Sequence, residues 1–134
     1  MKVQRSSERT PEPADPAHFT GRVWLAPMLD PDAPGDMNVA EVTFEPGARS
    51  HWHSHPGGQT LLPVSGRGRI RSDGGELMRM QVGDSVWIPP GERHWHGADP
   101  DSIFVQLSIT IGPGGTAWDD EPVSDADYQD TEPS

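Results

Sequence analysis

The stretch GARSHWHSHPGGQTLLPVSG, Gly47 to Gly66, decides how the rest of the chain is read. It holds three of the six histidines, His51, His53 and His55, at alternate positions. Side chains of an extended strand point alternately to opposite faces, so these imidazoles are expected on one face, with Trp52 and Ser54 on the other. Neighbours on one face lie ~6–7 Å apart along a strand. From that spacing, two ring nitrogens can meet a single metal ion at about 2.1 Å each. Pro56, Gly57 and Gly58 then turn the chain. Gln59 opens the returning segment and brings its side chain to the same point.

A second stretch has the same character. Gly83 to Gly97 reads GDSVWIPPGERHWHG, with a turn at Pro89-Pro90-Gly91 followed by His94 and His96 at strand spacing. A lone strand histidine is ordinarily a solvated or hydrogen-bonded residue. Two His-x-His pairs beside matched turns form a metal-site pattern instead.

These stretches resemble the two cupin signatures. Gly47, His53, His55, Gln59 and Gly66 stand at the spacing of the first, with Gln where that motif carries Glu. Gly83, Pro89, Gly91 and His94 stand at the spacing of the second, with Ala98 where that motif carries Asn. The resemblance runs over residues 19–128. Within the superfamily the chain is most similar to the small single-domain cupins of the (R)-mandelonitrile lyase-like group. The runs TFEPGAR (Thr43 to Arg49) and HWHGA (His94 to Ala98) carry that closer likeness, with Trp52-His53, His55-Pro56 and Gly58-Gln59-Thr60.

The remaining chain reads as short strands between turns. Residues 1–17 are polar and Pro-interrupted, an expected arm or disordered lead. Phe19 to Leu25 suggests a first strand, and Asp30 to Asp36, with Pro31, Pro34 and Gly35, a loop. Val39 to Glu45 alternates, placing Ala40, Val42 and Phe44 on one face. Thr60 to Val64 and Gly66 to Arg71 follow, and Pro63 implies an edge, a bulge or a position that donates no ladder bond. Asp73-Gly74-Gly75 is a hairpin turn. Ser102 to Ile111 is the longest β run, ended by Gly112 to Gly115. Ser124 caps an expected short helix over Asp125 to Gln129. Strands at this spacing predict an all-β sandwich or barrel, and the resemblance specifies a cupin jelly roll. The expected organisation is a lead over 1–17, one barrel domain over 18–116 and an acidic C-terminal tail over 117–134.

Charge narrows the choice of partners. Formal net charge is −11, and Asp119, Asp120, Glu121, Asp125, Asp127, Asp130 and Glu132 follow Ala117 with no Lys or Arg among them. Such a surface disfavours nucleic acid and anionic membranes. The chain has no cysteine, which excludes disulfides and thiolate metal sites. MKVQRSSERTPEPADP lacks the apolar core of a secretory signal, and no stretch approaches a membrane span. A cytoplasmic protein acting on a small molecule is the expectation.

The candidate metal ligands are His53, His55, Gln59 and His94. An imidazole-rich, neutral set suits one divalent transition ion per subunit, Mn, Fe, Ni, Cu or Zn, over Ca or Mg. The resemblance implies Mn or Fe. Gln in place of Glu leaves the full +2 charge, which makes a bound hydroxyl more acidic. His51 and His96 are candidate general bases, and His18, in the lead, is assigned no role. Ala40, Val42 and Phe44 are candidates for an apolar pocket wall, Arg49 for an anion contact or a rim salt bridge. Trp52 and Trp95 alternate with the histidines and are expected away from the metal, in the core or at a subunit interface.

The resemblance further implies cleavage of a cyanohydrin to an aldehyde and cyanide, with a histidine as proton carrier. Lyases of this group carry that histidine on the long last strand, where this chain has Gln106. The alternatives are an oxidative, dioxygenase-type cupin or a metal-dependent binding module without turnover. The resemblance also implies a homodimer, often with exchanged N-terminal strands. Ile103, Val105, Leu107, Ile109 and Ile111 would form its apolar contact if Gln106 faces inward.

Overall fold

The computed structural model describes residues 1–33, 35–111, 115–119 and 121–129. Most of the turn expected after Ile111 and the end of the acidic segment lie outside these residues. In chain order the strands are β1 (Glu12–Pro13), β2 (Phe19–Thr20), β3 (Val23–Leu29), β4 (Met37–Phe44), β5 (Arg49–Ser50) and β6 (His53–Ser54). There follow β7 (Gln59–Ser72), β8 (Met78–Gln81), β9 (Val86–Ile88), β10 (His94–Ala98), β11 (Phe104–Ile111) and β12 (Ala117–Trp118). A short 3₁₀ turn at Ser6–Glu8 precedes them, and the helix α1 (Asp125–Gln129) ends the described chain, where Ser124 predicts it. The Ser124 hydroxyl accepts from the Asp127 N–H at 3.1 Å, as an N-cap should.

The strands run β1-β3-β4-β11-β7-β10-β5-β2 across one curled, antiparallel sheet. The long strand β7 makes the curl. Its first half pairs with β11, from Gln59 opposite Thr110 to Gly66 opposite Phe104. Its second half pairs with β10, from Gly68 opposite Ala98 to Ser72 opposite His94. One strand therefore belongs to both walls of the jelly roll. The sequence reads as two strands here because Gly66 looks like a break. In the structure Gly66, at φ 75°, carries the bend without ending the strand. A side chain there would meet the Ile103 carbonyl oxygen at 1.7 Å. Pro63 sits where the register slips between Val105 and Gln106, the bulge that its missing N–H allows.

Alternation in β4 works as the sequence implies. Val42 and Phe44 are buried against Val23, Leu61, Ile70, Met80, Ile88 and Phe104 inside the barrel. The N-terminal lead is laid on this wall: Glu12 pairs with Leu25, and the Ala14 N–H reaches the Val23 carbonyl at 2.8 Å.

A second core lies on the outer side. Trp52 and Trp95 pack with Val123 and Tyr128, the last on α1. The acidic C-terminal segment is thus not a free tail as far as Gln129. Four arginines hold it. Arg49 donates to the Val123 carbonyl at 2.9 Å and the Asp125 carboxylate at 3.0 Å. Arg69 donates to the Tyr128 carbonyl at 2.9 Å and Arg71 to that of Asp127 at 3.3 Å. Arg93 pairs with Asp119 and Glu121 while lying over the Trp52 ring at 4.3 Å.

Candidate metal centre and cavity

Two loops meet to make the site. The His55 carbonyl accepts both the Gly58 N–H at 3.1 Å, closing the Pro56-Gly57-Gly58 turn, and the Gly91 N–H at 3.0 Å. The second of these bonds ties the Pro-Pro-Gly turn to the first histidine stretch. Gly58 has φ 79°, and a Cβ there would lie 2.5 Å from the Trp87 ring, so only glycine returns the chain at Gln59 without strain. Strand β6 pairs with β10 through His53 opposite His94.

The four rings gathered here are buried. Centroids of His53 and His94 are 4.3 Å apart, His53 and His55 5.0 Å, and His53 and His96 5.3 Å. One nitrogen from each of His53, His94 and His96 lies within 4.8 Å of the others, a triad positioned to bind a metal ion.

Hydrogen bonds fix the tautomers of three rings. His53 Nδ1 faces the His51 carbonyl at 2.8 Å, His94 Nδ1 the Glu92 carbonyl at 2.8 Å, and His55 Nδ1 the Gly115 carbonyl at 3.3 Å. A carbonyl only accepts, so each Nδ1 carries the proton and each Nε2 keeps a lone pair. His94 Nε2 then stands 3.0 Å from Gln59 Oε1, two acceptors face to face. The Gln59 amide is oriented by its Nε2 donating to Ser108 Oγ at 2.8 Å. His55 Nε2 is buried without a hydrogen-bond partner in the protein. Buried lone pairs that face one another are unfavourable until a cation or donor joins them. The donor set therefore fits a divalent ion.

Electrostatics keep these rings neutral. Burial, and then the neighbouring His94, hold His53 well below the usual imidazole range. His96 is held down by burial and then by His53 and His94. Burial lowers His55 and brings His94 to about 4. Neutral imidazole is the form that ligates metal.

His96 differs from its neighbours. Its Nδ1 is 3.0 Å from Gln106 Nε2, an amide nitrogen that donates. The His96 proton therefore sits on Nε2, the reverse of the other three rings. Gln106 is fully buried, and its Oε1 has no hydrogen-bond partner in the protein.

Beside the cluster lies a cavity of about 400 Å³. Ala40, Val42, Phe19, Leu25 and Pro27 are its apolar lining, His53, His55, Gln59 and His96 line it from the cluster, and Asp15, Asp30, Asn38 and Ser50 add polar groups. Phe44 sits behind this wall in the core, edge-on to His96 at 5.7 Å. Arg49 does not reach the cavity, because its guanidinium is turned outward onto Val123, Asp125 and the Tyr128 ring. Of the two uses foreseen for Arg49, the salt bridge is the one present.

His51 does not belong to the wall either. The alternation expected through His51, His53 and His55 lapses because the chain changes partners there. The His51 N–H bonds the His18 carbonyl, whereas Trp52 bonds Glu121 and Asp119. Trp52 and Trp95 do point away from the site, into the outer core.

Two wall residues escape the sequence reading. His18 and Trp118 stack at 4.2 Å with planes 9° apart, and Trp118 lies 4.7 Å from His53. His18 is in a polar lead and Trp118 heads the acidic segment, so neither belongs to a motif. The one signal was an aromatic residue in each: Phe19 beside His18, and Trp118 itself.

Comparison with known proteins agrees with this architecture. Residues 40–110 match the Cupin domain family. The chain belongs to the cupin family. It is 39% identical over 130 residues to an (R)-mandelonitrile lyase of Granulicella tundricola, covering 96% of this chain and 99% of that one. Among solved structures, a cupin-like protein of Thermotoga maritima superposes with TM-score 0.85 at 38% identity, covering 91% of this chain and 94% of the other. A predicted oxalate decarboxylase of the same organism superposes with TM-score 0.72 at 26% identity, covering 84% and 99%. Among the described residues no helix is long and apolar enough to cross a membrane.

Proposed function

We propose that this cupin is a metal-dependent enzyme acting on a small neutral hydroxy or carbonyl compound, with cyanohydrin cleavage to an aldehyde and cyanide as its reaction. The observation that carries the reading is the tautomer pattern. Three imidazoles have Nδ1 held by backbone carbonyls, which leaves each Nε2 a lone pair, that of His94 against the Gln59 oxygen, beside a cavity that His53, His55 and Gln59 line. His53, His55, Gln59 and His94 would hold the ion, Mn or Fe by family likeness. A bound divalent ion supplies Lewis acidity toward a substrate oxygen, undiminished by any carboxylate ligand.

The choice of His55 over His96 as a ligand follows from the protons. His96 Nε2 carries its hydrogen while Gln106 donates to Nδ1, so His96 presents an N–H to the cavity. In that form it donates to developing charge on a substrate atom. A half-turn of the Gln106 amide exchanges the roles. Oε1 then accepts from Nδ1–H, and Nε2 is freed to take a proton. Gln106 itself cannot take one at neutral pH, so His96 is the proton carrier. Ala40 and Val42 supply the apolar contact for an aryl or alkyl group. Similarity to (R)-mandelonitrile lyase over nearly the whole chain supports the reaction.

The test is metal content and mandelonitrile cleavage, measured together. His96→Ala is expected to lower the rate ~10²-fold or more with bound metal unchanged. His53→Ala loses metal and activity together, and Gln106→His raises activity. Absence of cleavage in both the parent and Gln106→His would defeat the lyase reading and favour an oxidative or binding role.

A homodimer belongs to the same proposal. Gln106 is buried on the inner face of β11, so Val105, Leu107, Ile109 and Ile111 lie on its outer face, with Ile111 52% exposed. Val64 on β7 and Met37 on β4 extend the apolar strip.

A further inference from the structure

We propose that His18 sets substrate preference, its imidazole edge hydrogen-bonding a hydroxyl carried on the ring of a small aryl substrate whose reacting oxygen faces the histidine cluster. This deepens the reading of the cavity as a substrate site and rests on it. His18 comes from outside both histidine stretches, yet it lines the same cavity as His53, His55 and His96. Its backbone is held on both sides. The N–H donates to the Asp15 carbonyl at 2.9 Å, and the carbonyl accepts from His51 at 2.8 Å. Phe19 next to it is in register with Ser50.

The ring is held as firmly as the backbone. One face lies flat on Trp118, and the residue, partly buried, lines the cavity. Nδ1 is buried and has no hydrogen-bond partner in the protein. Leaving such a nitrogen unpaired is costly, and a bound polar group removes the cost. Phe19, Leu25 and Pro27 line the cavity with it, and none of the polar residues that share that lining, Asp15, Asp30, Asn38 and Ser50, hydrogen-bonds this nitrogen.

Distance sets the kind of group. Trp118 contacts both rings, with its centroid 4.2 Å from that of His18 and 4.7 Å from that of His53. His18 and His53 are therefore no farther apart than those two spacings together, within the reach of one small aryl molecule. An aryl compound with a benzylic oxygen at one end and a ring hydroxyl at the other can face both histidines, its ring against Phe19, Leu25 and Pro27.

The experiment compares 4-hydroxybenzyl alcohol with benzyl alcohol by titration calorimetry on the full chain loaded with zinc. The parent is expected to prefer the hydroxylated probe about tenfold, one good hydrogen bond. His18→Phe keeps the stack on Trp118 and is expected to bring the ratio close to one. His18→Asn keeps a polar group and is expected to retain part of the preference. Taking the ratio within each variant cancels general losses of folding or metal. Should His18→Phe fail to fold, the histidine ¹⁵N spectrum of the parent decides. A shift of the His18 nitrogens with the hydroxylated probe alone supports the role, and no shift overturns it. Equal affinities in the parent, no binding of either probe, or a preference that survives in His18→Phe also overturns it. A parent that cleaves no mandelonitrile strikes the lyase reading and leaves this ratio standing.

Discussion

At the scale of the residue, the site is a contest between burial and solvation of imidazole. Burial holds His53 and His96 well below 6.5 and His94 at about 4. In the unfolded chain the same rings titrate near 6.5. Between these values the unfolded state binds more protons than the native state, so stability is present above pH ~6.5 and is lost as pH falls toward ~4. His94 alone accounts for on the order of 3 kcal/mol across that window. Chelator-treated protein is expected to melt at progressively lower temperature from pH 7 to pH 5, and a flat profile would contradict the buried, neutral cluster. The ligand candidates were legible because metal-site spacing is a local property of the chain. The Nδ1 partners were not, because His51, Glu92 and Gly115 contribute backbone carbonyls whose direction no side-chain pattern records.

At the scale of the element, the C-terminal segment departs most from its sequence. A run of acidic residues reads as a solvated tail, yet Tyr128 is 2% exposed and its hydroxyl donates to the Ala98 carbonyl at 2.6 Å. Its ring lies under Arg49 at 4.3 Å and beside Trp95 at 5.7 Å. The acids match arginines on β5, β7 and the turn before β10, far away in sequence, and composition alone cannot pair them. Packing should outweigh the hydroxyl. Tyr128→Phe is expected to cost about 1 kcal/mol and Tyr128→Ala roughly 3–5 kcal/mol in urea unfolding. Equal small losses would mean that the segment does not dock in solution. The helix α1 was foreseen because Ser124 is a local signal; its docking depends on Trp52 and Trp95, which are not.

At the scale of the whole molecule, alternation and turn chemistry made the jelly roll legible, and Gly66 hid the continuity of β7. The apolar outer strip of β11 predicts a homodimer. Sedimentation at micromolar concentration is expected to give twice the chain mass of 14.6 kDa, and a clean monomer would count against it. The account as a whole turns on which atoms hold the ion. A crystal structure of manganese-saturated protein, with the ion located by anomalous scattering, tests this most directly. Nε2 of His53, His55 and His94 and Oε1 of Gln59 are expected at about 2.0–2.3 Å from one ion, with His96 unligated and hydrogen-bonded to Gln106. An ion held by His53, His94 and His96 without His55, or no ion at the cluster, would contradict the account.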